Sequence, residues 1–143
     1  MYNHPLGMNL YNLNHSKDNI RKFGKAIVFE GEKSCLLYKS YFGIENDISV
    51  ACCGSNISAY QIQLLIEAGA KEIIIAFDRQ FQEIKDKEFY HLKDNLIKTR
   101  DKYKNDILIS FIFDKNMITG YKDSPIDRGP QIFLQLFKER IIL

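Results

Sequence analysis

The chain is 143 residues long, enough for one domain with a sizeable core. Its 20 basic and 18 acidic side chains leave a formal charge of only +2, which excludes a chain-wide cationic field for nucleic acid. Any such binding has to come from a local patch or through a metal. No apolar run approaches the roughly 20 residues of a membrane span and no signal peptide is present, so the chain reads as soluble and cytoplasmic, with no membrane partner. Cys35, Cys52 and Cys53 form no Cys-X-X-Cys pair, and His4, His15 and His91 are scattered, so ligand spacing argues against zinc. Three cysteines, two of them adjacent in an expected buried strand, fit reduced small hydrophobes.

In chain order, Met1 to about Met8 reads as a ragged end, broken by Pro5 and Gly7. Ser16 to Asn19 supplies a plausible cap for a first helix that Gly24 closes. A first strand is expected at Lys25 to Phe29. A helix follows from Lys33 to about Phe42, with Leu36, Leu37 and Tyr41 on one side, and Gly43 ends it. Ile48 to Cys52 reads as a second strand and Gly54 to Ser58 as a turn. Ser58 caps a helix over Ala59 to Ala68, and Glu72 to Phe77 is a third strand.

From Glu83 to about Lys104 the charge is dense, with Phe89, Leu92, Leu96 and Ile97 at helical spacing. That pattern predicts a long amphipathic helix. Its lysines at 85, 87, 93, 98, 102 and 104 and Arg100 alternate with acids, which favours a solvated face over a basic binding surface. Ile107 to Phe113 reads as a fourth strand ending at Asp114. After an Asp123 to Gly129 loop, Pro130 can open a last helix with Ile132, Phe133, Leu136 and Phe137 facing inward. Alternating strands and helices predict parallel pairing through right-handed crossovers.

Two of the apolar runs end in a single carboxylate: Ala26 to Phe29 before Glu30, and Ile73 to Phe77 before Asp78. In a parallel sheet ligands bind beyond the carboxyl ends of the strands. Glu30 and Asp78 therefore fall on one rim, where carboxylates can hold a divalent cation and, through it, phosphates. Asp123 and Asp127 can add charge to that rim, as can Asp114. The stretch Asp123-Ser-Pro-Ile-Asp127 is equally a turn former, and the two readings are compatible. Lys33, in the first turn of a helix on the same rim, is a candidate for phosphate contact, as is Arg79. Lys122 and Arg128 flank the Asp loop and can touch a nucleic-acid backbone without reading sequence.

Several of these segments carry a resemblance. Glu30-Gly-Glu-Lys-Ser34 is similar to the first signature of the Toprim domain, a catalytic Glu-Gly at a strand end. Ser49 to Ser55, then Gln61 to Leu65, resembles that fold's second strand, Gly turn and helix. Phe77-Asp78-Arg-Gln80 stands where the family carries Asp-X-Asp. Tyr121 to Asp127, with Gly129 and Phe133, resembles the Asp-Pro-Asp segment that follows the Toprim core in bacterial and phage DNA primases. Leu10-Tyr-Asn-Leu13 with Ile20 resembles the helix that precedes the Glu strand there. The resemblance runs from about Pro5 to Arg140.

It implies an α/β Rossmann-like Toprim fold with about four mainly parallel strands flanked by helices. Residues 1–143 are expected to form one primase-type domain: a leading tail and helix (1–24), a core (25–113), and an Asp loop with terminal helix (114–143). It further implies Mg²⁺ or Mn²⁺ on Glu30 and Asp78, assisted by Asp123 and Asp127, with Glu30, Asp78 and Lys33 in catalytic roles. Single-stranded DNA template and nucleotides are the implied ligands, contacted by Lys33, Arg79, Lys122 and Arg128. The zinc-binding and helicase domains usual in primases are expected on another chain or outside this fragment. The implied function is RNA primer synthesis in DNA replication. The second Asp position of the family is Gln80, which brings no charge. That departure keeps open a degenerate module that binds nucleic acid or a replisome partner; a small Toprim nuclease is a further alternative.

Overall fold

The computed structural model describes residues 9–54, 56–79, 81–82, 87–114 and 116–142. Among the described residues five strands form one sheet: β1 (Lys25–Phe29), β2 (Ser49–Ala51), β3 (Glu72–Ala76), β4 (Leu108–Phe111) and β5 (Ile141–Ile142). The order is β2-β1-β3-β4-β5, with the first four parallel and β5 antiparallel to β4. The helices are α1 (Leu13–Phe23), α2 (Glu32–Phe42), α3 (Ala59–Glu67), α4 (Lys87–Tyr103) and α5 (Pro130–Lys138). This is the α/β, Toprim-like architecture expected, with a short fifth strand added at the edge. No described helix is long and apolar enough to cross a membrane.

β1 and β3 are central, and their apolar runs are buried on both faces: Ala26 to Phe29 and Ile73 to Ala76 are at most 1 % exposed. Phe29 is level with Ala76 in the register and packs against Tyr38 of α2 and Phe133 of α5, at ring separations of 6.3 and 5.9 Å. Tilted and edge-on aromatic pairs like these add to burial. Successive strand residues alternate sides. Ile75 therefore faces the opposite layer, where it meets Leu92 and Leu96 of α4.

Several boundaries follow local chemistry. Gly24 closes α1 at φ 73°, a left-handed conformation that costs a glycine little. Ser58 caps α3 in a reciprocal box with Gln61, each side chain bonding the other's backbone N–H. Pro130 occupies the first turn of α5.

Three expectations need correction. Ser16 does not begin α1; the helix starts at Leu13, and buried Ser16 donates its hydroxyl to the carbonyl of Asn12. Asn12, left-handed at φ 73°, turns its amide into Asp47 and the Ser49 carbonyl instead of capping the helix. The inward face of α2 is Ser34, Cys35 and Tyr38, whereas Leu36 and Tyr41 are 55 % and 39 % exposed. The chain also does not end in helix: β5 follows α5, held by Arg140, which donates to Glu72 at 2.8 Å across the sheet. The expected ragged end at 1–8 and the start of α4 at 83–86 lie outside the described residues.

Candidate functional site

Glu30 is the first residue beyond β1, and Asp78 lies two beyond β3. Because β1 and β3 are parallel neighbours with Phe29 level with Ala76, the register brings these residues to adjacent positions on the carboxyl rim. The backbone N–H of Asp78 donates to Oε2 of Glu30 at 2.7 Å. After Glu30 the chain passes through extended Gly31 into α2, which sets exposed Lys33 in that helix's first turn.

The downstream loop comes to the same rim. The Arg79 N–H donates to the Asp123 carbonyl at 2.9 Å, and the Lys122 N–H returns to the Arg79 carbonyl at 2.7 Å. This two-bond strap fastens the Asp loop beside the end of β3. A second tie is the buried bond from the Ser34 hydroxyl of α2 to the Ser124 hydroxyl, at 2.8 Å.

The carboxylates are electrostatically distinct. Partial burial pushes Asp78 up to about 7, with the negative charges of Glu30, Asp127 and Asp123 adding to the shift. Asp123 is the opposite case. The Arg128 guanidinium donates to its Oδ2 at 2.8 Å and the Gly120 N–H at 2.7 Å, which holds its carboxyl below the usual range. Asp127 accepts the Ser124 N–H at 2.9 Å. The Asp loop is thus a hydrogen-bonded turn in its own right, and the charges of both its acids reach Asp78.

Asp114 lies beside the rim, lining one small cavity with Asp78, Arg79 and Asp123. It is buried, and its two oxygens accept from the backbone of Ile118 and Thr119 and from the Thr119 hydroxyl. Gln80 lies outside the described residues. Arg79 stacks its guanidinium 5.6 Å from the Phe81 ring, and its Nε is buried without a hydrogen-bond partner among the described residues. Lys122 is exposed, left-handed at φ 65°, with its ammonium 5.5 Å from the Tyr121 ring. Burial raises the Cys35 thiol to about 12 and the Cys52 thiol to about 11, which disfavours the thiolate at both.

Among the described residues no three His, Cys, Asp or Glu side chains form a ready-made metal cage. Magnesium does not require one, because it keeps several waters and takes one or two carboxylates plus substrate phosphates. Glu30 and Asp78 are hard oxygen donors of that kind. Burial raises Asp78 first and the nearby negative charges add to it; a divalent cation would offset that added repulsion, so the donor set fits such an ion.

Sequence reading missed three contributors. The Ser34–Ser124 bond and the Arg79–Asp123 strap join segments about 90 and about 44 residues apart, and no local pattern marks them. Tyr121 enters the sequence reading only as the start of a motif, although an aromatic next to the Asp loop is a visible signal.

No family model matches the chain. It is 30 % identical, over 148 aligned positions, to the SPbeta prophage-derived uncharacterized protein YorJ of Bacillus subtilis strain 168. The alignment takes in 99 % of this chain but only 39 % of YorJ, so the chain spans about two fifths of that relative's length. Among solved structures it is similar to the E. coli primase catalytic core, at TM-score 0.70 and 21 % identity, covering 98 % of this chain and 42 % of that one. The DnaG primase catalytic domain bound to single-stranded DNA matches at TM-score 0.70 and 21 % identity, over 97 % and 41 % of the two chains. For the zinc-binding and RNA polymerase domains of the Aquifex aeolicus primase the values are 0.68 and 20 %, over 98 % and 32 %. This chain therefore carries the Toprim-containing, primase-type fold found in primase catalytic cores.

Proposed function

We propose that this chain is the Toprim part of a DNA primase, contributing the Mg²⁺-binding half of a site for RNA primer synthesis. The observation that carries the reading is the Glu30–Asp78 pair, joined across adjacent parallel strand ends with the Asp loop strapped beside it. A bound Mg²⁺ would neutralise phosphate charge and align the attacking and leaving oxygens. Glu30 and Asp78 would hold it, and Asp127 and Asp123 contribute negative potential around it. Asp123 acts mainly through its turn, because Arg128 and Gly120 already occupy its Oδ2.

Lys33 and Arg79 would meet substrate phosphates. The Arg79 Nε, buried without a hydrogen-bond partner among the described residues, supports this for position 79, because a buried donor left unsatisfied costs about 1–3 kcal/mol that an incoming acceptor recovers. Lys122 and Arg128 flank the loop as backbone-contacting candidates. Template and nucleotides are the proposed ligands. Zinc-binding and helicase functions would come from other segments or other chains, and residues 1–143 would act as one unit in the cytoplasm.

Primer extension on single-stranded template, with the partner domains supplied, tests this. The parent assembly should synthesise primers. Glu30→Gln should abolish synthesis while circular dichroism stays unchanged and template binding falls little, since that contact runs through Lys and Arg. Robust synthesis by the Glu30→Gln protein would end the catalytic assignment.

A second reading is favoured by one specific feature, the neutral Gln80 where a second acid is usual. In it the chain binds nucleic acid or a replisome partner and performs no transfer. It predicts no synthesis by the parent assembly, with binding lost on changing Lys33, Lys122 or Arg128.

A further inference from the structure

The turn that carries Asp123 is held by more bonds than a surface turn needs. The Asp123 N–H donates to the Gly120 carbonyl at 3.0 Å, and the Gly120 N–H donates to Asp123 Oδ2 at 2.7 Å. Arg128 clamps the same carboxylate, and the Arg79 strap fixes Lys122 and Asp123 from the other side. The packing is tight enough that a Cβ at position 120 would sit 2.7 Å from the Arg128 guanidinium and 2.8 Å from Asp123 Oδ2. Lys122 is nevertheless held at φ 65°, where a non-glycine residue is strained. Strain of this kind persists where surrounding contacts over-determine it, and such positions cluster at binding sites.

What this frame presents outward is Tyr121, 42 % exposed, with the Lys122 ammonium against its ring. A floppy surface tyrosine would lose rotational and backbone entropy on stacking against a ligand; one mounted on a fixed turn has lost much of that freedom already. The neighbouring Lys122 and then Asp123 are strapped by backbone bonds to Arg79, the residue after Asp78, so Tyr121 is carried on the loop fastened beside the carboxylate rim.

We propose that Tyr121 is a stacking platform for a nucleobase of single-stranded nucleic acid at the edge of the Glu30–Asp78 rim, with Lys122 meeting the backbone phosphate of the same strand. Every base has a π-face, so such a platform adds affinity without sequence preference. The inference rests on the nucleic-acid reading above and assigns one residue of it a role separable from charge.

The test measures fluorescence anisotropy of the whole 143-residue chain with two single-stranded probes of equal phosphate count, an oligothymidylate and its abasic counterpart. Tyr121→Ala should weaken binding of the oligothymidylate by roughly 5- to 150-fold, the span expected for one base–aromatic stack. It should leave the abasic probe unchanged. Tyr121→Phe should bind both probes as the parent does, and Lys122→Ala should weaken both alike. Equal losses on both probes for Tyr121→Ala, or no loss on either, overturns the platform while leaving the nucleic-acid reading intact. A folded parent chain that binds neither probe overturns that reading, and the platform with it.

Discussion

Asp78 donates its backbone N–H to the side chain of Glu30, so the two acids are tied to each other through one main-chain bond of 2.7 Å. The bond fixes the Glu30 carboxylate over the end of β3 while its charge disfavours ionisation of the Asp78 side chain. The same contact thereby orients one acid and disfavours ionisation of the other, which concentrates negative charge at this strand end.

Replacing Glu30 by Gln should separate the two effects. The amide oxygen can still accept the Asp78 N–H, so the fold should persist with a stability change within about 1 kcal/mol. The lost charge should move Asp78 down from about 7 toward the ordinary carboxylate range. A carbon-detected NMR titration of the Asp78 carboxyl reads this directly. An unmoved titration would mean that burial and the loop acids set the shift without Glu30.

Asp78 also predicts a pH dependence. Its carboxyl titrates at about 7 in the folded chain, against 3.8 for a freely solvated aspartate, so between those values the folded chain binds more protons than the unfolded one. Stability without metal should therefore fall as pH rises from about 4 to about 7, then level off. Asp78→Asn should flatten that slope and stabilise the metal-free protein at pH 8 by on the order of 2 kcal/mol, solvent screening included. Apparent Mg²⁺ affinity should rise up to about tenfold per pH unit below 7, because the ion displaces a proton. Thermal melts across pH, with and without Mg²⁺, measure both slopes. A parent and Asp78→Asn pair with parallel curves would remove Asp78 from the account.

The strand ends were legible in the sequence for a physical reason: runs such as Ala26 to Phe29 and Ile73 to Ala76 are apolar without alternation, and only a strand covered on both faces needs that. Gly24, Gly43 and Ser58 were legible because each answers a local backbone demand. The inward face of α2 was not. Ser34 is buried because a partner hydroxyl from Ser124 meets it, and Leu36 is exposed although it is apolar. Ser16 misled for a related reason, since its hydroxyl bonds back to Asn12 within the helix rather than capping it. β5 is two residues long, too short for any period to show, and a side chain about 70 positions away secures it. At the site, the meeting of Glu30 and Asp78 follows from topology, whereas the Arg79 strap consists of backbone bonds that no residue type announces.

That remote latch gives a stability prediction. Glu72 is buried at the start of β3, accepting from the Ser110 hydroxyl at 2.6 Å and from Arg140 at 2.8 and 3.3 Å. Burial alone would raise its carboxyl, but the bonds from Arg140 and Ser110 outweigh it and the net direction is down. Its contribution is therefore present at neutral pH and fades as pH falls through the acid range. Arg140→Ala should cost about 3 kcal/mol by leaving a buried charge without its partner, and Glu72→Gln should cost less. Urea unfolding at pH 7 and pH 4 checks this, and the gap between parent and Arg140→Ala should narrow at the lower pH. An equal gap at both would mean that Arg140 acts through its packing on Phe137, 4.5 Å from the guanidinium.

On the proposed reading, the residue type at position 80 would set how strongly the rim holds a cation. The rim already gathers Glu30, Asp78, Asp123 and Asp127, yet Asp123 spends an oxygen on Arg128 and Asp127 one on the Ser124 N–H. Glu30 likewise accepts the Asp78 N–H on one oxygen, so each of these three acids has part of its acceptor capacity engaged, and the sequence has a neutral amide at Gln80 where a further acid is usual. Gln80→Asp should strengthen Mn²⁺ binding by about tenfold, because hard cations bind more tightly as ligand charge rises. The same change should lower the stability of the metal-free protein, since it adds a like charge two residues along the chain from Asp78, and Mn²⁺ should reverse the loss. Titration calorimetry and paired thermal melts give the two readings. A folded Gln80→Asp protein with unchanged Mn²⁺ affinity would show that position 80 faces away from the ion, leaving Glu30 and Asp78 to hold it alone. Tighter binding without any gain in primer synthesis would instead favour the binding module over the enzyme, because the missing charge would then not be what limits transfer.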